Sequence, residues 1–213
     1  MKHETPIDLW LYEKEAFADG FQLVCGVDEA GRGPLAGPVC AAAVILPVGL
    51  ELPGLNDSKK LTEKKREVLF DIITARAVSY SIQRVEAAEI DEIDILNARM
   101  KAMQLAIDGL SLRPDMALID GNRDHGSRFA VTAPHVTIVG GDGKSASIAA
   151  ASILAKVSRD RYVSGELNDQ YPQYQFAKHK GYGTKLHYEM LDQYGPCPAH
   201  RVTFLKKWEA RKP

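Results

Sequence analysis

The chain has 213 residues, of which 45% are hydrophobic and 26% are charged. This length and composition suffice for a folded core without disulfides and argue against a disordered protein. The formal net charge of −1 does not by itself indicate a nucleic-acid partner, and the longest apolar run, residues 39–48, is interrupted by Pro47 and falls short of the roughly 20 residues that span a membrane.

Charge is distributed unevenly along the chain. Residues 1–150 contain 16 Lys and Arg against 22 Asp and Glu, a net charge of −6, whereas residues 151–213 contain 11 against 6, a net charge of +5. An acidic body with a basic C-terminal part would suit a protein that binds cations in one place and phosphates in another. Ordinary variation of surface charge remains an open alternative.

The three cysteines, Cys25, Cys40 and Cys197, are odd in number and show neither a CxxC pair nor zinc-site spacing. We interpret them as reduced thiols, as expected in the cytoplasm. The N-terminus carries no apolar signal-like segment. We therefore expect a cytoplasmic protein without a membrane partner.

In the first part of the chain, the hydrophobic pattern predicts two helices and three strands. The predicted elements are a helix at residues 8–18, strands at 21–28 and 38–46, a helix from the N-cap Thr62 to residue 77, and a strand at 78–85. The Gly-rich connection between the first two strands favours a hairpin.

In the second part, apolar residues spaced three and four apart predict one long amphipathic helix with its stripe in the core: Ile93, Leu96, Met100, Met103, Ile107 and Leu110. Two short strands follow at 116–120 and 136–139, then a helix at 145–159 that is apolar nearly all round and must be buried, and a helix at 184–194. This order of elements is typical of an α/β fold with a mixed sheet.

Acidic residues follow the predicted strands. Asp28, Asp120 and Asp142 stand at strand ends beside glycines, and ligands of α/β sheets bind at the carboxyl ends of strands. Glu29 follows Asp28 directly, and neighbouring strand residues face opposite sides of a sheet. Glu29 can therefore join Asp28 only if the strand bends into the Gly31-Arg32-Gly33 turn.

Four carboxylates in one place repel one another unless a cation neutralises them. Oxygen ligands suit Mg²⁺ or Mn²⁺ better than zinc, and two such ions about 4 Å apart can cleave a phosphodiester. The pattern thus predicts a metal-dependent nuclease. Each Asp could equally be a turn former or helix cap, and the spacing alone does not decide between these readings.

A nucleotide-binding loop is the competing interpretation of the segment before the predicted helix at 145–159. Gly143-Lys144-Ser145 resembles part of such a loop, but the motif requires glycine where this chain has Ile138, and Asp142 would repel the phosphates. We exclude an ATPase on these grounds. The helix N-terminus at Ser145 remains a predicted contact for a backbone phosphate.

Six segments together identify the chain as resembling bacterial ribonuclease HII. In order they are GVDEAGRGPLAGPV at 26–39, LNDSKKL at 55–61, LIDGN at 118–122, SIAAASILAKV at 147–157, HKGYGT at 179–184 and GPCPAHR at 195–201. The resemblance implies the ribonuclease H-like fold, a mixed central sheet flanked by helices, with a helical C-terminal extension. We expect an N-terminal helical segment at 1–20, a catalytic core at 21–165 and a basic, substrate-binding extension at 166–213.

The same resemblance implies cleavage of the RNA strand in RNA–DNA hybrids and incision 5′ to single ribonucleotides embedded in duplex DNA, leaving 5′-phosphate and 3′-hydroxyl ends. Asp28, Glu29, Asp120 and Asp142 match the four acidic positions that bind two Mn²⁺ or Mg²⁺ ions, and we expect Asp28 to bridge the ions. We expect the protein to act as a monomer.

Substrate contacts are also implied by the resemblance. The backbone of Gly31, Arg32 and Gly33 would read the ribose 2′-hydroxyl, which bare glycine backbone can approach closely, and Tyr182 would pack against the sugar at the RNA–DNA junction. Phosphate contacts are expected from Lys59, Lys60, Lys156 and Lys180, although an idle surface lysine is an equal alternative for each. His179, His187 and His200 are interpreted as structural or phosphate-facing.

The chain departs from the family pattern beside the fourth carboxylate. It has Gly140-Gly141-Asp142-Gly143 where the family usually has Lys-Gly-Asp-Ser, so we expect metal occupancy or phosphate binding there to differ. An alternative function is an inactive hybrid-binding module of the same fold. That alternative predicts a lost carboxylate, and all four are present.

Overall fold

A computed structural model describes residues 8–55, 58 and 61–210. Its five strands form one mixed sheet in the order β3-β2-β1-β4-β5. The strands are β1 (Val24–Ala30), β2 (Val39–Ile45), β3 (Ser79–Val85), β4 (Met116–Asp120) and β5 (His135–Ile138). β1, β2 and β3 pair antiparallel, whereas β4 pairs parallel with both β1 and β5. The predicted hairpin and the predicted α/β class with a mixed sheet are confirmed.

Helices cover both faces of the sheet. They are α1 (Leu11–Ala18), α2 (Glu63–Arg76), α3 (Ala87–Ile93), α4 (Ile95–Asp108), α5 (Ala146–Ser164), α6 (Glu166–Gln170), α7 (Phe176–His179), α8 (Lys185–Tyr194) and α9 (Lys206–Glu209). α3 and α4 pack on one face, and α2 and α5 pack on the other. No helix in the described ranges is both long and apolar enough to cross a membrane.

The packing of α5 on the sheet is close because small residues meet there. A Cβ atom on Gly26 of β1 would lie 2.0 Å from the backbone of Ser147 on α5, so only glycine permits this approach. Ala149, Ala150, Ala151 and Ile153 are fully buried. The prediction that this helix is buried is confirmed, and the contact fixes α5 directly behind β1.

The long amphipathic helix predicted across Ile93 and Leu110 is wrong in its extent. The chain breaks at Asp94, which has a φ of +67° and whose carboxylate accepts hydrogen bonds from the backbone N–H groups of Leu96 (2.8 Å) and Asn97 (2.9 Å). Asp94 therefore ends α3 and caps α4. The apolar stripe continues across the break, since both Ile93 and Met100 are buried in the same core.

Threonine caps begin two of the helices, and the one at Thr62 was predicted from the sequence. The Thr62 side chain accepts a hydrogen bond from the N–H of Lys65 at 3.3 Å and begins α2 as predicted. Thr184 plays the same part for α8. All three cysteines are free thiols, as expected from their number and spacing.

Candidate active site

The carboxyl ends of β1 and β4 meet at one edge of the sheet. Val27 pairs with Ile119 in parallel register, so the next residues, Asp28 and Asp120, leave adjacent strands side by side. A cavity of about 550 Å³ opens at this edge, lined by a set of residues from distant parts of the sequence: Asp28, Glu29, Ala30, Gly31, Arg32, Gly33, Ser58, Ile95, Asp120, Ser152, Lys156, Tyr182 and Phe204. The structure thus brings together most of the residues singled out from the sequence.

Asp28 is buried, with 3% of its surface exposed. Burial, followed by the negative charges of Glu29 and Asp120, raises the pKa of its carboxyl well above the usual value. The backbone N–H of Glu29 (2.7 Å) and the Ser152 hydroxyl on α5 offset part of this effect. A divalent cation would relieve the remaining repulsion, and an all-oxygen donor set fits Mg²⁺ or Mn²⁺.

Glu29 points to the other face of the sheet. β1 continues to Ala30 rather than ending at residue 28, so the strand has not bent before Glu29 and the two acidic side chains alternate. The Glu29 carboxylate lies against α4, where its Oε2 is 2.9 Å from Nε of Arg99. Within the described residues, no three acidic, His or Cys side chains form a ready metal-binding group, which agrees with this divergence.

Asp142 lies in a short 3₁₀ turn, Gly141–Gly143, between β5 and α5, and it is buried. The turn is tied to Asp120, whose Oδ1 accepts a hydrogen bond from the N–H of Gly141 at 2.7 Å. The backbone next to the fourth acidic residue is therefore tied to the third, but Asp142 is not among the residues that line the cavity. Gly140, where the family usually has lysine, has a φ of +65°, a left-handed conformation that favours glycine.

The predicted phosphate contact at Ser145 is corrected by the structure. Ser145 is fully buried, and its hydroxyl donates to Oε1 of Glu13 at 2.6 Å. The same carboxylate oxygen accepts from the N–H (2.9 Å) and hydroxyl (2.6 Å) of Ser147. A carboxylate from α1 thus occupies the N-terminus of α5, and that end of the helix has no place for a phosphate.

Two buried arginines, which sequence reasoning missed, hold the Gly31-Arg32-Gly33 turn and the loop that follows it. Arg201 donates to the carbonyls of Gly31 (2.7 Å), Arg32 (3.1 Å) and Gly37 (2.9 Å). Arg159 on α5 donates to the carbonyls of Pro38, Ala36 and Lys180. A Cβ on Gly31 would lie 2.2 Å from Nε of Arg159, at a φ of +96°. The turn therefore requires glycine at residue 31, and the side chains of Arg201 and Arg159 contact it from the buried side.

The remaining predicted contacts divide into three groups. Lys156 lines the cavity, with its ammonium 5.6 Å from the centre of the Tyr182 ring and 2.9 Å from a carboxylate oxygen of Asp160. Lys180 does not line the cavity, and its ammonium donates to the Ser164 hydroxyl. Lys59 and Lys60 fall outside the described residues.

Tyr182 faces the cavity with 40% of its surface exposed. Its backbone carbonyl is hydrogen-bonded to the first of two histidines that contact each other. Nδ1 of His187 donates to the Tyr182 carbonyl at 2.9 Å, and Nε2 of His187 lies 3.0 Å from Nε2 of His200. Because the N–H of Cys197 donates to Nδ1 of His200 (3.0 Å), His200 must donate to His187 and both rings are neutral. The structural interpretation of these histidines is supported.

This pair predicts a loss of stability in acid. Burial lowers the pKa of His187 and of His200 to about 4, below the value near 6.5 expected in the unfolded chain. Their contribution is fully present above pH 6.5 and is lost as the pH falls toward 4, because the unfolded chain then binds protons first. We expect the free energy of unfolding to fall by a few kcal/mol over this range, at about 1.4 kcal/mol per pKa unit.

Urea unfolding at pH 7 and pH 5 checks this expectation. His200→Asn should be less stable than the unaltered protein at pH 7 but should lose less on acidification. An exposed residue without a titratable side chain provides the control: Val48→Ala should leave the pH dependence as it is. An equal pH dependence in His200→Asn and the unaltered protein would contradict the assignment.

Comparisons with known proteins agree with this geometry. The family model for ribonuclease HII matches residues 25–208. Ribonuclease HII of Endomicrobium trichonymphae is 55% identical over 198 residues, covering 92% of each chain, and that of Acetivibrio thermocellus is 52% identical over 202 residues, covering 95% of this chain and 77% of the relative. The crystal structure of ribonuclease H2 from Pyrococcus horikoshii matches with a TM-score of 0.73 at 28% identity, covering 89% of this chain and 98% of that one. The predicted ribonuclease H-like fold is confirmed, and the chain belongs to the ribonuclease HII family of metal-dependent endoribonucleases.

Proposed function

We propose that this protein cleaves the RNA strand of RNA–DNA hybrids and incises 5′ to single ribonucleotides embedded in duplex DNA. The observation that carries the proposal is the shared cavity, whose lining includes Asp28, Glu29 and Asp120 together with the Gly31-Arg32-Gly33 turn and Tyr182. Carboxylates that can hold metal thus lie beside a backbone surface suited to a ribose. The products would carry 5′-phosphate and 3′-hydroxyl ends.

Asp28, Glu29, Asp120 and Asp142 would hold two Mn²⁺ or Mg²⁺ ions, with Asp28 between them. When bound, such ions activate a water molecule and stabilise the leaving oxygen of a phosphodiester. Every carboxylate needed for this role is present, which favours an active enzyme over the inactive hybrid-binding alternative. To bind a metal ion beside Asp28, the Glu29 carboxylate must either turn away from Arg99 or contact Arg99 and the ion at the same time.

The ribonucleotide would be recognised by backbone rather than by side chains. The 2′-hydroxyl both donates and accepts hydrogen bonds and is the only group that distinguishes one ribose within DNA. Arg201 fixes the carbonyls of Gly31 and Arg32 from the buried side, and Arg159 fixes the carbonyl of Pro38 in the loop that follows. The opposite edge of the turn's backbone stays free to face the sugar. Lys156, which lines the same cavity, would contact a phosphate of the same strand.

A duplex with a single ribonucleotide tests the proposal. With Mn²⁺ or Mg²⁺, we expect one cut on the 5′ side of the ribonucleotide and none in an all-DNA duplex or in a duplex with a 2′-O-methyl ribonucleotide at that position. EDTA should stop the cut. Binding of the duplex without any cut, with both metals, would favour the inactive module and contradict the proposal.

Tyr182 variants test the reading of the junction. Tyr182→Ala should reduce cleavage of the single-ribonucleotide duplex by about tenfold or more, since the loss of one ring stacked on a nucleotide costs about 1–3 kcal/mol. Tyr182→Phe retains the ring and should remain close to the unaltered enzyme. The loss in kcat/KM of Tyr182→Ala should be measured on this duplex and on a continuous RNA–DNA hybrid. An equal loss on both substrates would exclude a junction-reading role.

A further inference from the structure

Arg99 is a buried cation inside the carboxylate site, and the metal chemistry of the proposed function does not account for it. It lies on α4, its side chain is 4% exposed, and its Nε is 2.9 Å from Oε2 of Glu29. Its Nη2 donates to the backbone carbonyl of Asp120 at 2.6 Å. One guanidinium thus bridges two of the four acidic positions, one through its side chain and the other through its backbone.

The fold is built around this guanidinium. Gly121, directly after Asp120, has a φ of +104°, and a Cβ there would lie 2.8 Å from Nη2 of Arg99. A side chain at residue 121 would displace the guanidinium from the strand end. The contact between Arg99 and the end of β4 therefore depends on glycine at this position.

The ion pair with Glu29 is close but poorly aligned. Nε of Arg99 and Oε2 of Glu29 are 2.9 Å apart, yet among the described residues neither atom has a hydrogen-bond partner of acceptable geometry. A buried carboxylate oxygen with no aligned donor retains lone pairs for another cation. The positive charge of Arg99 stabilises the Glu29 carboxylate, but Oε2 keeps the capacity to bind another cation.

We propose that Arg99 is a positioning residue that holds Glu29 away from Asp28 and competes with a divalent ion for the Glu29 carboxylate. This inference rests on the proposed function, since it assigns Glu29 to a metal ion. Without metal, the guanidinium neutralises one of the crowded carboxylates and keeps the strand ends in place. When an ion binds at Glu29, it must share Oε2 with a fixed positive charge or displace that charge.

Metal affinity measured without substrate tests the proposal. Arg99→Met retains length but removes the charge, and we expect it to bind Mn²⁺ about tenfold more tightly at the Glu29 site in calorimetric titration, because a nearby charge shifts such equilibria by about one to three powers of ten. Arg99→Lys retains the charge and should bind Mn²⁺ like the unaltered protein. Arg32→Met is the matched control: Arg32 is 62% exposed and 3.7 Å from Oε1 of Glu29, so screening by water should leave its effect small.

The outcomes separate the two claims. If the unaltered protein binds Mn²⁺ but Arg99→Met binds it equally or more weakly, the role of Arg99 is overturned while the proposed function stands. If the unaltered protein binds no Mn²⁺, the proposed function itself fails. Should Arg99→Met not fold, the Nε–H resonance of Arg99 in the unaltered protein serves instead: it should shift saturably on addition of Mg²⁺, and an unmoved resonance at saturating metal would overturn the proposal.

Discussion

Asp28→Asn is expected to reduce cleavage of the single-ribonucleotide duplex by at least about a hundredfold to a thousandfold, the cost of removing one preorganised electrostatic group. Asp28 is the acidic residue at the centre of the site, and both Glu29 and Asp120 act on its pKa. An amide in its place is a neutral and weaker ligand. Steady-state cleavage rates at saturating Mn²⁺ and Mg²⁺ measure the loss, and a fully active variant would contradict the metal model.

The same variant should be more stable than the unaltered protein when metal is absent. The raised pKa of Asp28 means that its carboxylate destabilises the folded state at neutral pH, and this effect disappears as the pH falls toward the unfolded value. Melting temperatures in EDTA should therefore be higher for Asp28→Asn at pH 7 and should converge near pH 4. Mn²⁺ should raise the melting temperature of the unaltered protein more than that of the variant.

An exposed carboxylate provides the control for stability. Asp169→Asn on α6 changes the same chemical group in water, and substitutions of this kind alter stability by less than about 0.5 kcal/mol. A lower melting temperature for Asp28→Asn than for Asp169→Asn in EDTA would show that the buried carboxylate does not destabilise the metal-free fold.

Arg201→Met should lower the free energy of unfolding by about 3 kcal/mol or more, because each buried carbonyl left without a donor costs about 1–3 kcal/mol. Three carbonyls lose their donor, those of Gly31, Arg32 and Gly37. Arg201→Lys retains the charge but cannot serve three acceptors from one planar group, so we expect a smaller loss. Urea unfolding at 20 °C measures both variants.

The loss of the Arg201 hydrogen bonds should also impair substrate cleavage. The Gly31 turn lines the cavity, so Arg201→Met should also discriminate less well between a ribonucleotide and a deoxyribonucleotide in the same duplex. Arg76→Met, which alters an exposed arginine in the last turn of α2, controls for the loss of one positive charge. If Arg201→Met were as stable as Arg76→Met, the buried contacts would have no structural role.

Local patterns account for the part of the molecule that the sequence predicts well. Thr62 and Thr184 mark helix starts because a side-chain oxygen there caps free N–H groups. Asp28 and Asp120 come together because the carboxyl ends of adjacent parallel strands share one edge of the sheet. These rules act over a few residues or follow from strand alternation, and a single sequence reveals them.

Contacts between distant segments account for most of what the sequence does not reveal. Glu13 caps a helix that begins more than a hundred residues later, and Arg201 binds a turn near residue 31. The acceptors of Arg201 are backbone carbonyls, which leave no side-chain signature in the sequence. A buried arginine among basic surface residues looks like any other, and only the fold distinguishes it.

Asp94 illustrates a different limit. The apolar spacing on either side of it fits one continuous helix, but the backbone at Asp94 has a φ of +67°, outside the helical range, and its carboxylate caps the helix that follows. Hydrophobic periodicity reports which residues face the core and is insensitive to such a break. The face was therefore predicted correctly and the helix boundary was not.

Anomalous diffraction at the manganese edge, from crystals grown with Mn²⁺, would show directly whether the carboxylates bind metal. We expect manganese bound by carboxylate oxygens of Asp28 and Asp120 at the shared edge of β1 and β4. Manganese found only at other sites, with the Asp28 carboxylate free of metal, would contradict it.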